Sequence, residues 1–424
     1  MSKNHKNILF LFTILLFQTP FVFSQAMTDI GGLMKNSKVR AAFEYIERIE
    51  SETVEEQIKI AEIPAPTFEE KERGAYFQKR FAELGLKNVR TDAAGNVIGE
   101  RPGTGGDGAP TLVLAAHLDT VFARDTPLKT VRTGTLIKVP GIGDDARGLA
   151  LLLAIARTLE AQKIETEGNL IFVANVGEEG LGDLKGVRHL FGEELKGRVT
   201  HFISLDGTGL GVTTGAVGSR RYRATFSGRG GHSYSAFGMA NPIHAVGRLI
   251  AKIADFQTPA EPKTTFNVGV IRGGTSVNSI AAEASFDIDM RSVDPEELKK
   301  LDAKFKEAAG QALKEENARW NDEGRIALDL KLIGDRPTGR QSQDLPIIKL
   351  AAEVNKFMNI ENRFGFASTD ANLPISLGIP AITVEGGGTG RFAHSVEEEW
   401  DSRDSHVGSQ RALLIVLGVV GVDK

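Results

Sequence analysis

Three short apolar runs in the first half of the chain stop at residues that can do chemistry. "TLVLAA" runs into His117-Leu118-Asp119, "NLIFVANV" into Gly177-Glu178-Glu179, and "HFISL" into Asp206. The loop "PGIGDDARG" sets Asp144 and Asp145 just ahead of a helical pattern. Singly, each has an ordinary explanation. A His-x-Asp is often a satisfied core pair, paired aspartates before a helix cap it, and Glu-Glu-Gly is a solvated turn. Together they place six acids and a histidine at the carboxyl ends of strand-like segments, where open α/β sheets bind ligands. Like charges about 4 Å apart cost on the order of 4 kcal/mol per pair at an effective dielectric near 20, so a converging set needs cations. The chain has no cysteine, which removes disulfides, thiolate metal sites and cysteine nucleophiles. A His/carboxylate donor set suits divalent zinc, cobalt or manganese. In extended chain His117 and Asp119 point the same way, so the Asp119 carboxylate can accept the second ring N–H of His117.

The elements that must position these residues are legible from their periodicity. The apolar runs are short and unbroken, the form taken by parallel strands covered on both faces. "RGLALLLAIARTLEA" reads as a helix between two of them, and "TFEEKERGAYFQKRFAEL" as a helix opened by a capping box from Thr67 to Glu70. The fold class is therefore α/β with an open, mostly parallel sheet. Near residue 217 the pattern changes to β-α-β-β-α-β, an inserted ferredoxin-like unit, and after "RPTGR" the α/β pattern resumes. The expected organisation is residues 27–216 and 336–424 as two parts of one catalytic domain, with 217–335 inserted between them as a dimerisation or lid domain.

A 41% hydrophobic and 25% charged composition is that of an ordinary globular protein. The formal charge of −4 and the lack of a basic run argue against nucleic acid as a partner. Residues 1–26 have the layout of a secretory signal peptide: Lys3 and Lys6, an apolar stretch from Ile8 to Phe23, then the small residues "SQA". The stretch is short for a membrane span. The expected destination is secreted or periplasmic, with no stable span after cleavage.

From "IPAPTFEE" to the C-terminus the sequence resembles the co-catalytic metallopeptidase and deacylase family that includes acetylornithine deacetylase, succinyl-diaminopimelate desuccinylase, aminoacylase, glutamate carboxypeptidase and peptidase T. The resemblance implies two divalent metal ions per chain, zinc first and cobalt or manganese as substitutes. One ion would take His117, Asp144 and Asp206; the other would take Asp144, Glu179 and His394, the histidine of "FAHSVEEEW". It makes Asp119 the residue that orients His117, and Glu178 the general base. Where the family usually has lysine two residues after its bridging aspartate this chain has Ala146, which leaves Asp145 as an alternative bridge. Successive side chains diverge, so Glu179 can bind metal while Glu178 faces the attacking water. In the inserted domain "GRGGHS" matches a glycine-flanked histidine, His232, that in the family can reach the partner subunit's site in a homodimer. Asn278 and Arg291 match substrate-binding positions, often for a carboxylate, and "EGGGTGR", residues 385–391, matches a backbone-lined substrate loop. His5, His189, His201, His244 and His406 match nothing.

The expected activity is hydrolysis of an amide bond in di- or tripeptides by an exopeptidase. Its rival is an N-acyl-amino-acid deacylase, since the same metals and base serve both. An inactive metal- or peptide-binding protein on the same fold is disfavoured because each donor position is filled.

Overall fold

A computed structural model describes residues 29–320 and 324–423; the expected signal segment, 1–26, lies outside them. In chain order the first strands are β1 (Lys87–Thr91), β2 (Val97–Arg101), β3 (Thr111–His117), β4 (Val131–Thr133), β5 (Leu136–Lys138), β6 (Asn169–Asn175), β7 (His201–Leu205) and β8 (Val212–Ala216). Next come β9 (Gly218–Ser227), β10 (Gly231–His232), β11 (Thr264–Gly273), β12 (Ser279–Ile280), β13 (Glu283–Ser292) and β14 (Ala327–Arg336). The last are β15 (Phe364–Ala367), β16 (Ala381–Val384), β17 (Thr389–Arg391) and β18 (Glu399–Asp401).

Eight strands form the central sheet in the order β1-β2-β6-β3-β7-β16-β8-β15. Its middle, β6 to β16, is parallel. The unbroken apolar runs are explained by where alternate residues go. Leu112, Leu114, Ala116, Leu170, Phe172 and Ala174 enter one core with the helices Ala146–Ala161 and His406–Val420. Val113, Ala115, Ile171, Val173 and Phe202 enter a second core on the opposite face. Both faces are dry, so neither needs a polar alternation.

The inserted unit folds as β-α-β-β-α-β, with an antiparallel sheet in the order β11-β13-β9-β14. Its two helices, Pro242–Ala254 and Pro295–Arg319, each begin with proline after a side chain that caps the first turn, Asn241 and Asp294. They cover one face of this sheet through Leu249, Phe305, Phe226 and Phe286. The other face carries a charged ladder in which Arg221 pairs with Asp289 and Arg223 with Asp287.

One local expectation fails. Thr67 does not cap the following helix, which starts at Lys71 without a side-chain cap. Glu69 N–H closes a turn on the Pro66 carbonyl, and Phe68 has φ +76°. That turn swings Thr67 onto Asp119 and Glu70 onto the Gly177 N–H. A further four-stranded antiparallel sheet, β17-β18-β5-β4, was not foreseen; "VRTGTLIK" carries the alternation and the glycine turn that could have announced it.

Candidate active site

The carboxyl ends of β3, β6 and β7 stand side by side, and the loops that leave them converge. His117 Nε2 is 3.1 Å from Asp144 Oδ1, and His394 Nε2 is 3.0 Å from Asp144 Oδ2 and 3.1 Å from Glu179 Oε1. Two donor triads result, His117/Asp144/Asp206 and Asp144/Glu179/His394, with the donor atoms of each within 4.8 Å of one another. Both contain Asp144. Glu178 joins His117 and Glu179 in a third grouping at the same limit.

The second layer differs from expectation at Asp119. Its carboxylate accepts Glu178 N–H at 3.0 Å on Oδ1, and Glu179 N–H at 2.8 Å and the Thr67 hydroxyl at 2.9 Å on Oδ2. The carboxylate Oδ1 stands 3.6 Å from His117 Nδ1, and the Asp119 backbone carbonyl is nearer to that ring nitrogen, at 3.0 Å. Asp119 thus fixes the glutamate loop by its side chain and the histidine by its backbone.

The adjacent aspartates divide their duties. The Asp145 carboxylate is fully buried and accepts Gly148 N–H and His117 N–H, capping the helix Ala146–Ala161. A Cβ at Gly148 would lie 2.3 Å from Asp145 Oδ1 and 2.2 Å from the Leu205 carbonyl, so only glycine permits this approach. The peptide bond between the two aspartates is cis. Asp144 is held from the other side by Glu398, which accepts Gly141 N–H and Gly143 N–H at 2.8 Å and Asp144 N–H at 3.1 Å.

The electrostatics share one origin. Burial, reinforced by Asp144, Asp370 and Glu179, raises Asp206 to about 7. Burial likewise lifts Asp370 to about 6 and Glu398 to about 7. Burial pushes Glu178 well up against the opposing pull of Arg336. Hydrogen bonds to Asp144 and Glu179 raise His394 to about 10. Carboxylates crowd where water is scarce, and positive charge relieves them. The donor types and the shared aspartate fit a pair of divalent ions.

A cavity of about 420 Å³ opens over these groups and is also lined by Arg221, Arg291 and Arg336. Arg291 therefore reaches the site as expected by position, although its Nε is engaged by Asp289 at 2.6 Å. His232 and Asn278 do not reach it. In the inserted unit His232 ends β10 and Asn278 immediately precedes β12; Ser233 N–H binds the Asn278 carbonyl, and the His232 and Asn278 side chains are exposed. Residues 385–391 are not among those lining this cavity. Gly386 and Gly387 instead pack against Arg147 and the start of the helix His406–Val420, and Arg147 Nε binds the Gly386 carbonyl at 2.7 Å.

Sequence reasoning missed Glu398, Arg336, Asp370 and Arg221. Glu398 sits in an acidic run that reads as solvated surface, and Arg336 in the turn-like "GDRPTG". Nothing local marks either one.

Residues 214–317 match the peptidase dimerisation domain of the M20 type, and residues 96–236 match peptidase family M28. Succinyl-diaminopimelate desuccinylase of Corynebacterium glutamicum is 24% identical over 348 residues, 80% of this chain and 89% of that protein. A tripeptidase from Staphylococcus aureus superposes with a TM-score of 0.72 at 21% identity, covering 88% of this chain and 98% of that one. A dinuclear metal-binding peptidase of the M20 family from Bacillus subtilis does so with a TM-score of 0.62 at 16% identity, covering 89% and 100%. At these identities the structural likeness speaks for the fold. Fold, sequence relatives and site define an enzyme of the metallopeptidase and amidohydrolase class. In its inserted domain the chain resembles the M20 metallopeptidases.

Proposed function

We propose that the chain is a dinuclear metal-dependent exopeptidase that hydrolyses amide bonds in di- and tripeptides. One observation carries the reading: Asp144 belongs to both donor triads, with Oδ1 toward His117 and Oδ2 toward His394. In this reading His117, Asp144 and Asp206 hold one ion, and Asp144, Glu179 and His394 the other. Zinc is the first choice, with cobalt or manganese as substitutes. Once bound, the ions supply Lewis acidity to the scissile carbonyl and lower the pKa of a water toward neutrality. Glu178 takes the proton from the attacking water and returns it to the leaving amine. Asp119 keeps Glu178 and Glu179 in register through their backbone N–H groups. Arg291 supplies a planar cation for the substrate carboxylate.

An N-acyl-amino-acid deacylase is the second reading, favoured by the desuccinylase relative; its substrates also carry a carboxylate for Arg291. The inserted unit makes the chain a homodimer in this proposal, with Asn278 and His232 serving the partner subunit's site. Tyr234 is 88% and Val277 103% exposed beside them, apolar surface that a second copy would cover. Export through the 1–26 segment completes the proposal. Among the described residues no helix is long and apolar enough to cross a membrane.

The test is a hydrolysis screen of dipeptides, tripeptides and N-acyl amino acids with zinc, cobalt or manganese added, run beside elemental analysis. Turnover of short peptides with about two ions per chain supports the reading. Turnover of acyl amino acids alone selects the deacylase. Absence of bound metal, with activity indifferent to chelator, rules out both.

A further inference from the structure

Glu178 and Glu179 leave the same loop, yet their carboxylates are held by different parts of the molecule. The backbone of the loop is fixed by the catalytic domain: Glu70 accepts Gly177 N–H, and Asp119 accepts the next two. The Glu179 carboxylate meets His394, also in the catalytic domain. The Glu178 carboxylate meets Arg336, the last residue of β14 and so the point where the inserted unit hands the chain back.

Arg336 is 4% exposed. Its Nη1 donates to Glu178 Oε1 at 2.9 Å and to Ser368 Oγ at 3.1 Å, and its Nη2 donates to the Glu178 backbone carbonyl. One guanidinium therefore grips the residue at both side chain and main chain, the two-point geometry that lysine cannot reproduce. The neighbouring contacts extend the grip along the same loop. Asp335 N–H donates to Asp183 Oδ1 at 2.9 Å, Arg188 Nη2 donates to the Asp335 carbonyl at 2.6 Å, and Arg221 Nη1 from β9 donates to the Gly180 carbonyl at 2.5 Å. The inserted unit is thus seated on residues 178–183.

We infer that Arg336 is the positioning residue for the base: it pins Oε1 of Glu178 from the inserted domain and leaves Oε2 for the water. This rests on the reading of Glu178 as the base. The consequence is that the inserted domain, beyond any part in assembly, sets the alignment of the proton acceptor. A misplacement of about 1 Å in such a group costs on the order of 10²-fold in rate.

The experiment compares Arg336→Met, Arg336→Lys and Glu178→Gln, singly and as the Arg336→Met/Glu178→Gln double variant, with kcat, KM and metal content measured for each. Arg336→Met should lower kcat by about 10–100-fold with KM within about threefold and both ions retained. Arg336→Lys should recover part of that loss. On the Glu178→Gln background the Arg336→Met change should add less than about twofold, because it acts through the group already removed. Unchanged kcat in Arg336→Met, a rise confined to KM, or a full further loss in the double variant would each overturn the inference. Should the methionine variant fail to fold, the lysine variant decides by the same split: reduced kcat supports the inference, and wild-type kcat overturns it. If Glu178→Gln keeps wild-type turnover, the base assignment itself is wrong, whatever Arg336 does. If Glu178→Gln is inactive while Arg336→Met is not, only the positioning role falls.

Discussion

The two edges of the central sheet solve the same problem in opposite ways. At the amino edge, where β3, β6 and β7 begin, neutral groups satisfy one another. Thr111 N–H donates to Thr200 Oγ1 at 2.9 Å, that hydroxyl donates back to the Thr111 carbonyl at 3.0 Å, and Asn169 accepts Gly103 N–H. At the carboxyl edge the same strands end in acids. There Asn175 Oδ1, Ser204 Oγ and Asp370 Oδ1 are buried without a hydrogen-bond partner among the described residues. Buried polar atoms are normally paired, and each exception calls for a reason. The amino edge is built for stability. In the proposed reading the carboxyl edge carries electrostatic cost that bound ions and substrate would relieve. Substitutions at the carboxyl edge should therefore cost activity, and those at the amino edge should cost stability alone.

The largest effect belongs to Glu178. Glu178→Gln should reduce kcat by about 10²–10⁴-fold while both ions remain bound, because neither donor triad that shares Asp144 contains Glu178. Parallel loss of metal and activity, followed by elemental analysis, would mean that the two glutamates exchange roles and that this edge is less divided than proposed.

His232 comes next, and it extends the comparison to the inserted unit. Its ring Nδ1 accepts Tyr234 N–H at 3.2 Å and Ser235 N–H at 3.5 Å, and the side chain is exposed, away from the metal donors of its own chain. In the trans arrangement His232→Ala should lose about 10²–10³-fold in kcat, the cost of removing an oxyanion donor. Mixed with Glu178→Gln chains it should recover activity, since a hybrid dimer holds one intact composite site. Verified hybrids without recovery would confine the site to a single chain.

How far the sequence revealed these edges depends on how local each signal was. β3, β6 and β7 were legible because a strand dry on both faces cannot hide its apolar run. The acids at their ends were legible because several charges at successive strand termini have no shared structural explanation. The clamps on those acids were not. Arg336 reaches Glu178 from 158 residues away, and Glu398 reaches Gly141 from 257 residues away. No periodicity in a single chain records that approach. The His-x-Asp spacing alone makes Asp119 an orienter of His117 through its carboxylate. The structure shows that carboxylate claimed by two backbone N–H groups and a hydroxyl, a competition visible only after folding.

A smaller effect separates the two adjacent aspartates at the carboxyl edge. Asp145→Ala should destabilise the fold by about 0.5–2 kcal/mol, as for the loss of a helix cap, because it frees Gly148 N–H and His117 N–H together. Asp144→Ala should abolish metal binding with little change in the stability of the metal-free protein. Calorimetry of chelator-treated samples checks both. The reverse ranking would restore Asp145 as the bridging residue.

The smallest effect tests the amino edge alone. His201 opens β7, with its Nδ1 2.9 Å from Thr200 Oγ1. That hydroxyl already spends its proton on the Thr111 carbonyl, so a neutral His201 donates from Nδ1. Burial lowers its pKa from the ordinary 6.5 to about 4. Protons therefore bind the unfolded chain first. The contribution of His201 to stability is complete above pH 6.5 and is lost as pH falls toward 4, with a slope of at most about 1.4 kcal/mol per pH unit. Urea melts of chelator-stripped protein between these limits, compared with His201→Gln, isolate the effect from ion release. The wild type should lose stability more steeply than the variant as pH falls, while turnover at pH 7.5 stays the same in both. Equal slopes would show that this imidazole titrates freely. A loss of turnover would show that the amino edge, too, serves the reaction.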